Sequence, residues 1–149
     1  MGSGIGWRCK KCGAGKEYCT GYGMRSSNVS ETRKRIERGE LGVIAKHLLS
    51  GDCPLEVNTI DEVVFYRCRS CEKLVEGANI RFCAEGGPRD FVLHVPPEEC
   101  PDCGAEFTLV DECTPVSEGE IEARVEKILR EGCPECGNKA VEPTAVFWD

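Results

Sequence analysis

Histidine is almost missing from this 149-residue chain: His47 and His94 are the only two. That scarcity leaves general acid–base chemistry to ordinary carboxylates. It also argues against a hydrolytic zinc, which keeps an open position for water and usually takes His or carboxylate among its three protein ligands. No Ser-His-Asp pattern, P-loop or dinucleotide-binding motif is present, so the sequence names no catalytic residue and the expectation is a non-enzyme. Long apolar runs are also lacking. The N-terminus, reading Met-Gly-Ser-Gly-Ile-Gly-Trp-Arg-Cys, has no apolar stretch of the kind a signal peptide needs, and no segment is long enough to span a membrane. The expected address is therefore the cytoplasm, where thiols stay reduced.

Cysteine, by contrast, is abundant, with 12 in the chain. In a reducing compartment, paired cysteines at short spacing hold metal more often than they form disulfides. Eight of them fall into four Cys-x-x-Cys pairs: Cys9 with Cys12, Cys68 with Cys71, Cys100 with Cys103, and Cys133 with Cys136. In a metal-binding knuckle two thiolates on a tight turn point at one ion, and tetrahedral zinc takes two knuckles. Four knuckles make two complete sites with nothing left over. Turn chemistry agrees: Pro101 and Pro134 pre-set φ after the first ligand, and Gly13, Gly104 and Gly137 suit a positive φ after the second. Glu72 alone departs from this pattern. With both shells filled by thiolates, His47 and His94 read as ordinary helix and strand residues. Cys19, Cys53, Cys83 and Cys113 read as small buried hydrophobes, their scattered spacing supporting neither a third site nor a redox pair.

The sequence leaves two pairings of the knuckles open. The simpler is sequential, the first two closing one site and the last two another, and it is preferred because neighbouring elements tend to pack together. The competing arrangement pairs the middle two and leaves the first and last to tie the termini.

Charge is unevenly spread. Residues 1–50 carry 10 Lys and Arg against 4 Asp and Glu, a net +6, whereas residues 51–149 carry 9 against 22, a net −13. Each zinc with four thiolates would add a net −2, taking the formal charge from −7 to −11. The balance favours a protein partner over a nucleic acid clamped by the whole molecule. A nucleic-acid interface remains an alternative through Arg8, Lys10, Lys11, Lys16, Arg33, Lys34, Arg35 and Arg38, provided they converge on one face.

Periodicity predicts short elements. A strand is expected over 16–20, and a helix capped by Asn28, with Glu31 three residues on, should place Val29, Thr32 and Ile36 on one face. A second helix over 40–49 should bury Leu41, Ile44, Ala45 and Leu48 and end at Gly51. Strands are expected over 62–67, 79–84, 91–95, 107–110 and 141–148, with Glu85-Gly86-Gly87-Pro88 as a turn and Pro96-Pro97 as a boundary. Ser117 with Glu120 forms a capping box opening a helix that buries Ile121, Val125, Ile128 and Leu129 and stops at Gly132. Trp148 is expected to pack over the fourth knuckle. The fold class expected is a small metal-bound α+β protein of two zinc-ribbon (rubredoxin-knuckle) units, short antiparallel strands with inserted helices. Residues 1–97 form one unit with a helical insertion, and residues 98–149 the other with one helix.

Trp7-Arg8-Cys9-Lys10-Lys11-Cys12-Gly13, the run from Gly21 to Ser27 and the helix ending Glu37-Arg38-Gly39-Glu40-Leu41-Gly42 resemble a group of uncharacterised zinc-ribbon proteins of anaerobic Firmicutes and their relatives. The likeness is best over residues 7–50, and the later knuckles alone carry it further. It implies metal ligation by the knuckle cysteines and supplies no substrate. The function expected is thus a zinc-binding interaction or regulatory module with two Zn2+ per chain. A rubredoxin-like iron protein for electron transfer is a further alternative, since four thiolates do not separate iron from zinc.

Overall fold

The computed structural model describes residues 2–21, 28–50, 60–83, 90–107 and 114–148. In chain order these form β1 (Gly2–Cys9), β2 (Gly15–Gly21), α1 (Val29–Glu37), α2 (Gly42–Ser50), β3 (Ile60–Arg67), β4 (Leu74–Cys83), β5 (Asp90–Val95), α3 (Glu118–Glu131) and β6 (Val141–Trp148). The turn expected at 85–88, the strand expected beyond Phe107, and Cys53 and Cys113 lie outside the described residues. So does the side chain of Trp148. The protein is a small α+β chain with antiparallel strand pairing, as the sequence predicts. No described helix is long and apolar enough to cross a membrane.

The chain divides into two compact units, one made of Met1–Gly21 with Val116–Asp149, the other of Tyr22–Pro115. The two ends of the chain therefore belong to one unit, whereas the sequence reading placed a cut after residue 97.

In the first unit β1 is the central strand, antiparallel to β2 (Gly2↔Gly21 through Arg8↔Gly15) and to β6 (Gly2↔Trp148 through Cys9↔Val141). Helix α3 packs on β1 and β6. Its capping box is complete: Glu120 N–H donates to Ser117 Oγ at 3.2 Å, and Ser117 N–H donates to Glu120 Oε2 at 3.1 Å. Gly132, at φ 109°, ends it. Ile121 and Val125 are buried, as are Trp7 and Tyr18 of the sheet, while Ile128 and Leu129 are half-buried.

In the second unit β4 is central, antiparallel to β3 (Ile60↔Arg81 through Arg67↔Leu74) and to β5 (Ala78↔Val95 through Cys83↔Asp90). Period-2 alternation puts Ala78, Ile80 and Phe82 on one face, and that face meets Ile36 of α1 and Leu41 and Ala45 of the α2 segment. The expected cap of α1 is present, with Glu31 N–H donating to Asn28 Oδ1 at 3.2 Å. Ile44, expected in the core, is instead 45% exposed. Helix α2 starts at Gly42 and turns Ala45 inward, so its neighbour faces out. Arg35 pairs with the nearly buried Asp61, fastening α1 to β3.

Gly77 of β4 is required by close approach. A Cβ at Gly77 would lie 2.5 Å from Tyr66 Cε2 and 2.7 Å from Val95 O. The Tyr66 ring crosses the gap with its hydroxyl 3.1 Å from Ala78 O and 3.2 Å from Asn79 Oδ1. Gly77→Ala is expected to destabilise the protein by about 1–3 kcal/mol through overpacking, and Tyr66→Phe/Gly77→Ala to recover little of it, because the ring carbons collide and the hydroxyl does not. Urea denaturation of the three chains checks this; wild-type stability in Gly77→Ala would contradict it.

Candidate metal centres

All four Cys-x-x-Cys segments fold into the same turn. The first cysteine's N–H donates five residues ahead, and its carbonyl accepts from the residue four ahead: Cys9 N to Ala14 O at 2.7 Å and Gly13 N to Cys9 O at 3.0 Å, with the equivalent pairs at Cys68, Cys100 and Cys133 spanning 2.8 to 2.9 Å. This closure needs a left-handed residue after the second cysteine. Gly13, Glu72, Gly104 and Gly137 occupy that place at φ 75°, 61°, 72° and 68°. Glu72 is the one non-glycine at positive φ among the described residues. A left-handed non-glycine costs roughly 1–2 kcal/mol, and glycine returns part of that, about 0.5–1 kcal/mol, as unfolded-state entropy. Glu72→Gly should therefore stabilise the protein by about 0.5–1 kcal/mol, whereas Gly104→Ala, which meets nothing within 4 Å, should lose about 1 kcal/mol for backbone reasons alone. Thermal melts of metal-loaded protein test both signs.

The turns bring the eight cysteines together four by four. Cys9, Cys12, Cys133 and Cys136 form one group and Cys68, Cys71, Cys100 and Cys103 the other, the sulfurs of each lying within 4.8 Å of one another. Cross-knuckle Sγ···Sγ distances are 3.7 Å for Cys9–Cys136, 3.6 Å for Cys12–Cys133, 3.6 Å for Cys68–Cys103 and 3.7 Å for Cys71–Cys100. Four sulfurs about 2.3 Å from a tetrahedral centre stand about 3.8 Å apart along each edge. The first cysteine of every knuckle is buried, and the second is exposed or, at Cys71, half-buried. Each group can hold one metal ion.

This grouping corrects the sequential pairing preferred from the sequence. Sheet register overrides chain proximity: Cys9 ends β1 opposite Val141 at the start of β6, and Lys10 N–H donates to Ala140 O at 2.9 Å, so the first knuckle meets the fourth. Likewise β5, antiparallel to β4, delivers the third knuckle to the second. A signal for this pairing was in the knuckle charges. Cys9-Lys10-Lys11-Cys12 faces Cys133-Pro134-Glu135-Cys136, and Cys68-Arg69-Ser70-Cys71 faces Cys100-Pro101-Asp102-Cys103, a basic turn against an acidic one each time. Ion pairs lie alongside, Lys73 to Asp102 at 3.0 Å and Lys10 to Glu142 at 2.8 Å.

The turn also sets thiol acidity. The Cys12 N–H is the main group lowering Cys9 to about 7, and the Cys71 N–H does the same for Cys68, both against burial. At Cys12 and Cys103 the N–H of Ala14 and of Ala105 likewise lowers the thiol, but adjoining thiols and desolvation together prevail and push each up to about 12. Without metal, Cys9 and Cys68 thus ionise more readily than Cys12 and Cys103, and a dication is what allows four thiolates to coexist.

Cys19 and Cys83 are half-buried and join neither group. The eight cations of the nucleic-acid alternative are split, with Arg8, Lys10, Lys11 and Lys16 in the first unit and Arg33, Lys34, Arg35 and Arg38 in the second. Several are engaged within their own unit, Lys10 by Glu142, Arg35 by Asp61, and Arg38 by Glu40 at 2.6 Å and Glu31 at 3.3 Å. Comparison with protein-family models, curated proteins and solved structures returns no match to this chain.

Proposed function

We propose that this protein is a non-enzymatic zinc-binding module of the cytoplasm, with one structural Zn2+ per unit in a closed four-thiolate shell, whose surface engages another protein. The observation that carries the metal reading is the sulfur spacing, 3.6 to 3.7 Å across both groups, against about 3.8 Å for a tetrahedral zinc–thiolate edge. Four thiolates leave no coordination position for water or substrate, so the metal holds the fold together instead of reacting. In this reading each unit is a zinc-ribbon variant, in keeping with the resemblance of residues 7–50 to the Firmicutes group. Protein is preferred over nucleic acid as partner because the chain carries −7 before metal and because Lys10, Arg35 and Arg38 are already neutralised by neighbouring carboxylates.

Native mass spectrometry with element-specific analysis tests the metal content. The expected result is a colourless protein with two zinc ions per chain. Two iron ions with visible thiolate charge-transfer bands would replace this reading with electron transfer in a rubredoxin-like site.

A further inference from the structure

The second unit has a groove of about 340 Å3 whose apolar lining includes Val43 and Ile44 of α2 together with Leu93, Pro96 and Phe107. Val43 is 84% exposed and Ile44 45%, two of the four large hydrophobic residues exposed among the described residues, and they are consecutive. The same groove is lined by Glu98, Glu99 and Glu106, all exposed, and by no Lys or Arg. The half-charge of positive sign at the N-terminus of α2 is outweighed by three full negative charges. An apolar lining beside three carboxylates, with His94 as the one basic side chain, selects for apolar side chains interleaved with cations.

We infer that this groove docks a short basic segment of a partner protein, one in which Leu, Ile or Phe alternates with Lys or Arg. The inference rests on the interaction-module reading and names its site and the chemistry of its partner. It also ties docking to metal. Glu98, Glu99, Glu106 and Phe107 flank the Cys100–Cys103 knuckle, held by the Phe107 N to Glu98 O hydrogen bond at 2.9 Å and the Glu99↔Glu106 bridge. Phe107 also packs against the buried cluster of Cys68, Val75 and Cys100. Emptying that metal site removes the segment that carries all three carboxylates.

The test uses the metal-loaded full chain, 15N-labelled, titrated with three peptides: alternating Lys-Leu, alternating Lys-Gly and alternating Glu-Leu heptamers. The Lys-Leu peptide should shift the amides of Val43, Ile44 and Phe107, bind at least tenfold more tightly than either control, and weaken at least tenfold in Val43→Asp and in Glu98→Gln/Glu99→Gln/Glu106→Gln. Because the glutamine variant keeps every apolar contact, it separates lost docking from lost folding, and unchanged dispersion of the free spectra confirms the fold. Equal binding of Lys-Gly would reduce the effect to bulk charge and overturn the proposal. Shifts confined to another surface, no shift with Lys-Leu, or self-association through Val43 in place of peptide binding would each overturn it as well. Failure of the underlying zinc reading is distinguishable, because metal analysis registers it before any peptide is added.

Discussion

Chelation at neutral pH is expected to collapse the far-UV circular dichroism of this protein, and restoring zinc to recover it. Each four-thiolate zinc site supplies roughly 10–16 kcal/mol of binding free energy in small model domains, more than the 5–15 kcal/mol of net stability a whole domain usually has. The apolar clusters described in the second unit are small: the three buried residues Cys68, Val75 and Cys100, and the five that include Ile80 and Phe82. Clusters of that size leave the metal a large share of the second unit's stability. Acidification should act in the same direction. In the folded, loaded protein all eight thiols are ionised, whereas in the unfolded chain free thiols keep their protons at neutral pH. The unfolded state then binds more protons, so stability rises with pH and is lost as pH falls. Cys12 and Cys103, pushed up to about 12 without metal, must release protons on loading. A spectrum unchanged after proven metal removal, or metal retained equally at pH 8 and pH 4, would contradict this account.

Removing the fourth knuckle should have the second largest effect. In Cys133→Ser/Cys136→Ser the first unit keeps only Cys9 and Cys12, two of the four ligands it needs, so the chain should hold one zinc ion in place of two. Trp7 reports the consequence. It lies in β1 two residues before Cys9, is 5% exposed, and belongs to the unit that loses its metal. Its solvation should move the tryptophan emission to the red. A variant that retains two metals, or whose emission stays blue at one metal, would count against a structural role for this site.

The eight cysteines that cluster were legible in the sequence because a knuckle is a local motif: the spacing, Pro101 and Pro134 after the first cysteine, and Gly13, Gly104 and Gly137 after the second are all read within five residues. Both capping signals were equally local, Asn28 with Glu31 and Ser117 with Glu120, and the helices begin where they say. What failed was non-local. β1 was not anticipated, because Gly2, Gly4 and Gly6 depress strand propensity. Yet it pairs with both β2 and β6 in its unit, and a Cβ at Gly6 would stand 2.3 Å from Lys16 O and 2.7 Å from Thr144 Oγ1. The knuckle pairing failed for the same reason, since a strand that was not foreseen could not deliver Cys9 to Cys136. Ile44 was assigned inward by period alone, and a helix start at Gly42 turns it out. The basic and acidic complementarity of the paired knuckles was the one non-local signal written in local residues.

The central claim is that two metals are held in nested pairs, the outer knuckles together and the inner knuckles together. Counting zinc by native mass spectrometry in two quadruple variants tests it most directly. Replacing Cys9, Cys12, Cys133 and Cys136 by Ser removes one whole site, and that chain should retain one zinc ion. Replacing Cys9, Cys12, Cys68 and Cys71 by Ser halves both sites, and that chain should retain none. The reverse result, no zinc in the first and one in the second, would contradict the nested arrangement and return the sites to sequential pairing.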